Sequence, residues 1–64
     1  MPSTILYLGR DDTDHTVTLA INGTRWEYTL NPQACDTVEY LAKRVSAGKA
    51  LAFAKSRASR EVRL

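Results

Sequence analysis

The sequence predicts an α+β fold in one small domain spanning residues 1–64. We expect a three-stranded antiparallel β-meander packed against one main α-helix, followed by a shorter basic C-terminal helix. Two observations predict this class. Asn22-Gly23 lies between two runs of alternating apolar and polar residues, which is a strong β-hairpin signal. After Leu30, apolar residues recur every three or four positions, which is typical of an amphipathic helix.

The register of the hairpin follows from its two-residue loop. This loop places Leu19 opposite Trp26 and Val17 opposite Tyr28 on one nearly all-apolar face, and it leaves mostly polar pairs on the other. A shift by one residue would mix apolar and polar side chains on both faces. The sequence therefore predicts the pairing as well as the hairpin.

The first strand is predicted from a short apolar run over residues 5–8, which ends at Gly9. A polar turn over residues 10–14 follows, rich in the Asp residues that favour turns. The only cluster resembling a set of metal ligands lies there: Asp11, Asp12, Asp14 and His15. A Ca²⁺ loop also requires further oxygen ligands and a distal Glu at fixed spacing. We therefore interpret the cluster as a polar turn and expect no metal site.

The main helix has two candidate starts. Asn31-Pro32 is either a turn or a helix start with Pro at the first position. Asp36, with Glu39 three residues later, resembles a capping box. Gly48 is the predicted end of the helix. The apolar stripe expected to face the sheet consists of Val38, Leu41, Ala42 and Val45.

A second helix is predicted over residues 49–59, which contain only good or tolerable helix formers. Its apolar stripe is thin, with Leu51, Ala54 and Ala58 as the candidates for core contacts. Residues 61–64 leave two options open, a frayed end or an edge strand. The core is predicted to consist of Val17, Leu19, Ile21, Trp26, Tyr28, Val38, Leu41, Val45 and Leu51.

The length of 64 residues lies near the lower limit of independent folding, where a staple usually supplements the core. Cys35 is the only cysteine, so an internal disulfide is excluded and a reducing compartment is favoured. Core packing or a homodimer interface remains as support. The N-terminal residues lack a basic stretch followed by an apolar run, so we expect no signal peptide, and no apolar run is long enough to span a membrane. We expect a cytoplasmic protein with no membrane contact.

Catalytic patterns are missing. Cys35 and His15 could suggest a thiol–imidazole pair, but neither an orienting third group nor an oxyanion motif accompanies them. Residues 46–49 (Ser-Ala-Gly-Lys) lack the rest of a phosphate loop and are better interpreted as a helix junction, with anion binding by its free N–H groups as the alternative. We expect no enzyme, no cofactor and no catalytic residue.

The charges are strongly segregated along the chain. Residues 1–42 contain two basic and six acidic side chains, a net of −4, and residues 43–64 contain seven basic and one acidic, a net of +6. This asymmetry points to binding of a charged partner. Because Lys49, Phe53, Arg57 and Arg60 recur at helical spacing, a helix over this segment would align them. The predicted partner-binding residues are Tyr40, Lys43, Arg44, Lys49, Phe53, Arg57 and Arg60.

Two aromatic residues in this set have alternative roles. Phe53, among basic side chains, could stack on a nucleic-acid base, or it could anchor the second helix in a core that needs apolar area. Tyr40 points away from the apolar stripe, so it could anchor a protein interface or cover a neighbouring loop.

The order of motifs resembles the KTSC domain, a small module found alone and at the C-terminus of some lysyl-tRNA synthetases. The resemblance covers residues 4 to about 57. It consists of Gly23-x-x-Trp26-x-Tyr28, then Pro32, a helix, Ser46-x-Gly48-Lys49 and Phe53. It implies a β-β-β-α-type fold and no established enzymatic activity, and it assigns no functional residues.

The function expected from these observations is a non-enzymatic protein-binding module that binds an acidic surface. Small size, missing catalytic patterns and segregated charge suit an inhibitor or adaptor of a host protein, of the kind that phages and mobile elements encode. The alternative is a small nucleic-acid-binding protein that uses the basic C-terminal half.

Overall fold

The computed structural model describes residues 3–64; Met1 and Pro2, which belong to the segment considered for a signal peptide, lie outside the described residues. The described residues form a four-stranded antiparallel sheet in which the strands lie side by side in the order of the sequence. The α+β class is confirmed. The predicted three-stranded meander is present, but the C-terminal segment adds a fourth strand to it. The elements are β1 (Ile5–Asp11), β2 (Thr16–Ile21), β3 (Thr24–Thr29), α1 (Pro32–Arg44), α2 (Ala47–Arg57) and β4 (Arg60–Arg63).

The β2–β3 hairpin has the predicted register, with Leu19 opposite Trp26 and Val17 opposite Tyr28. Its loop residues Asn22 and Gly23 have φ values of 51° and 86°. Both values lie in the left-handed region, which Asn and Gly tolerate better than other residues, and this explains why the dipeptide predicts the turn.

Strand β1 is longer than predicted because it continues through a β-bulge instead of ending at Gly9. The pairing steps from Tyr7↔Leu19 to Gly9↔Thr18, so β1 advances two residues while β2 advances one. The extra residue inverts the alternation of side chains beyond it. Arg10 therefore lies opposite Val17, on the face that the helices cover.

Helix α1 begins at Pro32, and the Asn31 side chain caps it by accepting a hydrogen bond from the Ala34 amide at 2.8 Å. The capping role expected of Asp36 is wrong, since Asp36 lies in the second turn. The predicted helix end is also wrong. Helix α1 stops at Arg44, and Gly48 lies in the first turn of α2, which the Ser46 side chain caps through the Lys49 amide.

A single apolar core joins the helix-covered face of the sheet to both helices. Most predicted core residues contribute to it, but Val45 is half exposed because it is the C-cap of α1 and lies beyond the last helical turn. Leu41, Trp26 and Ile21 pack around its margin. The fully or almost fully buried residues of this core are Val17, Leu19, Tyr28, Leu30, Ala34, Cys35, Val38, Ala50, Leu51 and Ala54. Ala20 is equally buried on the other face of the sheet.

Residues 60–63 form β4, which resolves the two options left open for the C-terminal segment. The Ser59 amide donates to the Thr29 carbonyl at 2.9 Å and starts the pairing with β3. The Leu64 amide donates to the Arg25 carbonyl, also at 2.9 Å, and continues it. The C-terminal segment thus covers the edge of β3.

Candidate protein-interaction surface

Helices α1 and α2 form an antiparallel hairpin on the sheet. A two-residue connection, residues 45–46, separates them. A hollow of about 340 Å³ is lined by Gln33 and Thr37 from the N-terminal half of α1 and by Phe53 and Arg57 from the C-terminal half of α2. Its lining shows that the N-terminal half of α1 lies beside the C-terminal half of α2. This orientation determines which side chains of the two helices are neighbours on the outer surface.

The outer ridge of α1 carries Tyr40 and Arg44. Thr37, Tyr40 and Arg44 follow one another at i, i+3 and i+7, so they lie on one side of the helix, and Thr37 already lines the hollow beside α2. Tyr40 is 61% exposed. The ring is therefore on the surface, as expected for an interface anchor, and does not lie under a loop.

The facing ridge of α2 carries Lys49, Phe53 and Arg57 at i, i+4 and i+8. Phe53 is half-buried and packs against the core, while its ring also lies under Arg57, whose guanidinium carbon is 5.0 Å from the ring centroid. This distance is typical of a cation–π contact. Phe53 thus contributes to the core, and it also holds the Arg57 guanidinium in place on the surface.

Positive charge is unbalanced on this surface. Among residues 3–64, no carboxylate lies within 4.0 Å of the charged groups of Arg44, Lys49 or Arg57. The basic helical surface, as we call it, consists of Tyr40, Arg44, Lys49, Phe53 and Arg57. A surface with three unpaired cations and two aromatic rings suits a partner that offers carboxylates and apolar groups.

The acidic side chains of α1, Asp36 and Glu39, bind Arg10 beside the basic helical surface, since Asp36 lies one helical turn before Tyr40. The Arg10 guanidinium lies 2.7 Å from the Asp36 carboxylate and 3.6 Å from the Glu39 carboxylate, and it contacts Asp12 of the turn at 2.7 Å. We call these four residues the Arg10 cluster. The Asp36 carboxylate, followed by that of Asp12, holds the pKa of Arg10 above its ordinary value. The cluster ties β1 to α1, and Arg10 offsets the negative charge that α1 carries next to Tyr40.

Two of the predicted binding residues lie apart from the others. Lys43 lies at the flank, 3.5 Å from the Glu39 carboxylate at i, i+4. The prediction of a single helical row was wrong at Arg60, because α2 ends at Arg57 and Arg60 begins β4 opposite Thr29. Thr29 also pairs with Thr16 of β2, and the side chains of this row lie on the sheet face away from the helices. Arg60 and Arg57 therefore lie on opposite faces of the domain.

The residues considered for metal or thiol chemistry have structural roles. The Asp11 carboxylate accepts hydrogen bonds from the amides of Thr13 and Asp14 at 2.8 and 3.2 Å, which shapes the turn. Burial raises the pKa of the Cys35 thiol, so the reactive thiolate is disfavoured. In the part of the chain that the structure describes, no three His, Cys, Asp or Glu residues are grouped as a metal site would need.

Sequence reasoning missed Gln33, Thr37 and the Arg10 cluster. Gln33 and Thr37 precede Tyr40 on the same ridge, so the 3.6-residue period could have identified them once the helix start at Pro32 was recognised. No local signal links Arg10 to Asp36, because 26 residues and a bulge separate them.

No family model, curated protein or solved structure matches this chain. The resemblance to the KTSC domain therefore stays a prediction. No helix formed by residues 3–64 is both long and apolar enough to cross a membrane.

Proposed function

We propose that this protein is a non-enzymatic protein-binding module whose basic helical surface binds an acidic surface of another protein. The observation that carries the proposal is the group of unpaired cations, Arg44, Lys49 and Arg57, beside the exposed ring of Tyr40. Arg and Tyr are the residue types enriched at interface hot spots. Lys43, at the flank, adds to the positive field.

The state of Phe53 supports a protein partner over a nucleic acid. Binding of single-stranded nucleic acid uses aromatic rings as stacking platforms for bases. The Arg57 guanidinium already lies over the Phe53 ring, and Phe53 is partly buried against the core. Tyr40 is then the one well-exposed ring of the basic helical surface. Nucleic-acid binding is the alternative, and the experiment must distinguish it from protein binding.

The electrostatic contribution predicts a specific salt dependence. Cations on the rim of an interface mainly raise the association rate, and salt screens them, with a Debye length of about 8 Å at physiological ionic strength. Binding should weaken moderately as salt increases. A nucleic-acid complex would weaken more steeply, because each neutralised phosphate contributes a slope of about −0.7 to −0.9 in log K against log salt.

Affinity capture with two matched reversals of charge tests the proposal. The test variant is Arg44→Glu with Arg57→Glu, both on the basic helical surface. The control is Lys55→Glu with Arg63→Glu, two exposed cations outside it, which changes the net charge equally. The wild type and the control should capture the same protein from a lysate of the source organism, and this capture should persist after nuclease treatment. The test variant should not capture that protein.

Two results would contradict the proposal. Equal capture by the test variant would mean that the basic helical surface does not bind the partner. Loss of capture after nuclease treatment, with micromolar binding to random oligonucleotides at physiological salt, would favour the nucleic-acid alternative. The narrower role of a phage or mobile-element inhibitor or adaptor stays a prediction that capture would also address, since it identifies the partner.

A further inference from the structure

The sheet face away from the helices, here called the open sheet face, has an ordered layout across all four strands. One row runs from Leu6 through Ala20 and Arg25 to Leu64. A second row runs from the bulge at Leu8 through Thr18 and Glu27 to Val62. Leucine or valine thus stands at both margins, and small or polar residues stand between them.

This layout makes a trough with apolar rims. Leu6 and Leu64 are more than half exposed, and Leu8 is 48% exposed. Between the rims lies a hollow of about 540 Å³, which Thr16, Thr18 and Leu8 help to line. Leu6 and Leu8 stand on one rim and Leu64 on the other, with the charged Arg25 and Glu27 in the lining between them. Exposed apolar side chains grouped on one face are typical of an interaction site.

The charges of the open sheet face cancel, unlike those of the basic helical surface. Arg25 and Arg60 are matched in number by Asp11 and Glu27, which the strand register places on the same face. Two copies can therefore approach each other through this face without repulsion, and Arg25 of one copy can lie near Glu27 of the other. The three unpaired cations on the opposite side of the domain oppose self-association there.

The edges of the sheet are poor sites for joining two copies. Strand β1 is interrupted by the bulge at Leu8, which breaks the regular spacing of its free backbone groups. Strand β4 has four residues, three of them charged: Arg60, Glu61 and Arg63. Short, charged and bulged edge strands resist edge-to-edge pairing. Association through the face is the remaining geometry.

We propose that the protein forms a homodimer in which two open sheet faces pack against each other around a two-fold axis. The leucine rim of one copy would lie against the small and polar residues between the rims of the other, because each copy carries both features. A two-fold interface requires such self-complementarity. The dimer would also give the small core a second covering layer.

The available area sets the expected strength of the dimer. Four strands at about 4.8 Å spacing and about 20 Å length give a face of roughly 400 Å² per copy before side-chain relief is counted. The dimer would then bury on the order of 1,000 Å² in total, near the lower limit for a specific interface. We expect a reversible dimer with a dissociation constant in roughly the micromolar range.

Sedimentation velocity over concentrations from about 1 to 500 μM tests the proposal, since this range brackets the expected dissociation constant. The wild type should move from the monomer mass of 7.1 kDa to twice that mass. Leu8→Glu should raise the dissociation constant at least about tenfold, because it places a charge in the apolar rim. Val45→Glu is the matched control: Val45 is 52% exposed and lies between the helices, so this variant should dimerise as the wild type does.

A second variant distinguishes weakened dimerisation from a folding defect. If Leu8→Glu lowers the melting temperature, Leu64→Glu provides the same charge at the other rim, after the last residue of β4. A wild type that stays monomeric at every concentration would overturn the proposal and leave the face free for another partner. Equal weakening by Val45→Glu and both rim variants would also overturn it.

Discussion

Removal of the Arg10 guanidinium is the perturbation that best tests how the bulge organises the domain. Arg10→Met keeps most of the aliphatic side chain and removes the charge. The Arg10 side chain is only 18% exposed, but Asp12 and Asp36 are 76% and 73% exposed. When the guanidinium is removed, water can solvate the Asp12 and Asp36 carboxylates in its place. Each contact is therefore closer in strength to a surface ion pair than to a buried one.

The expected loss of stability can be estimated from these contacts. Two contacts at 2.7 Å and one at 3.6 Å should together contribute about 1–2 kcal/mol. For a domain of this length, 1 kcal/mol lowers the melting temperature by about 4–8 °C. Arg10→Met should therefore melt roughly 5–15 °C below the wild type. Arg44→Met, which removes an unpaired surface cation, should change stability by less than about 0.5 kcal/mol.

A double-mutant cycle with Asp36→Asn provides the assay. Urea unfolding of the wild type, both single variants and the double variant at low protein concentration gives the coupling between the two side chains. We expect a coupling of about 0.5–1 kcal/mol that decreases with added salt. Additive single effects, with zero coupling, would refute the argument that the bulge turns Arg10 toward α1.

Three further predictions concern stability. Leu19→Ala, at a fully buried position, should cost about 2–5 kcal/mol in urea unfolding, whereas the half-buried Leu41→Ala should cost roughly half as much. Gly23→Ala should cost about 1–2 kcal/mol, because its φ of 86° strains any residue with a Cβ, and a smaller loss would contradict the assigned turn. Burial, reinforced by the nearby Glu61 carboxylate, raises the pKa of Tyr28, so the folded state retains a proton that the unfolded chain releases above pH 10.0. This contribution to stability is complete below pH 10 and decreases as the pH rises beyond it, and Tyr28→Phe should weaken that alkaline loss in pH-dependent melting.

The hairpin was predictable because its signals are local. A turn dipeptide and a period of two residues fix both the loop and the faces of β2 and β3. The bulge at Leu8 was not predictable in the same way. A glycine after an apolar run is as compatible with a strand end as with a bulge, and only the pairing with Thr18 distinguishes them.

The helix boundaries show how two valid local signals compete. Asn31-Pro32 and Asp36 both resemble helix starts, and the earlier one begins α1. Asp36 binds Arg10 instead, a partner that lies far away in the sequence. Strand β4 was also not predictable from local sequence, because four residues are too few to distinguish a frayed end from an edge strand.

The candidate site was predictable in composition but only partly in geometry. Helical spacing correctly aligned Lys49, Phe53 and Arg57 along α2. The extension of that row to Arg60 depended on a helix end that sequence could place only approximately. The neighbourhood of Tyr40 and α2 depends on the antiparallel packing of the helices, which no local pattern specifies.

An NMR titration of the ¹⁵N-labelled protein with an oligo-glutamate peptide tests the central claim most directly, because it locates the surface that attracts an acidic chain. We predict chemical-shift changes concentrated at Tyr40, Arg44, Lys49, Phe53 and Arg57, which decrease as salt is raised. We also predict that these changes vanish in the Arg44→Glu, Arg57→Glu double variant and persist in the Lys55→Glu, Arg63→Glu control. Changes spread equally over Lys55, Arg60 and Arg63, or retained in the first variant, would contradict the basic helical surface as the binding site.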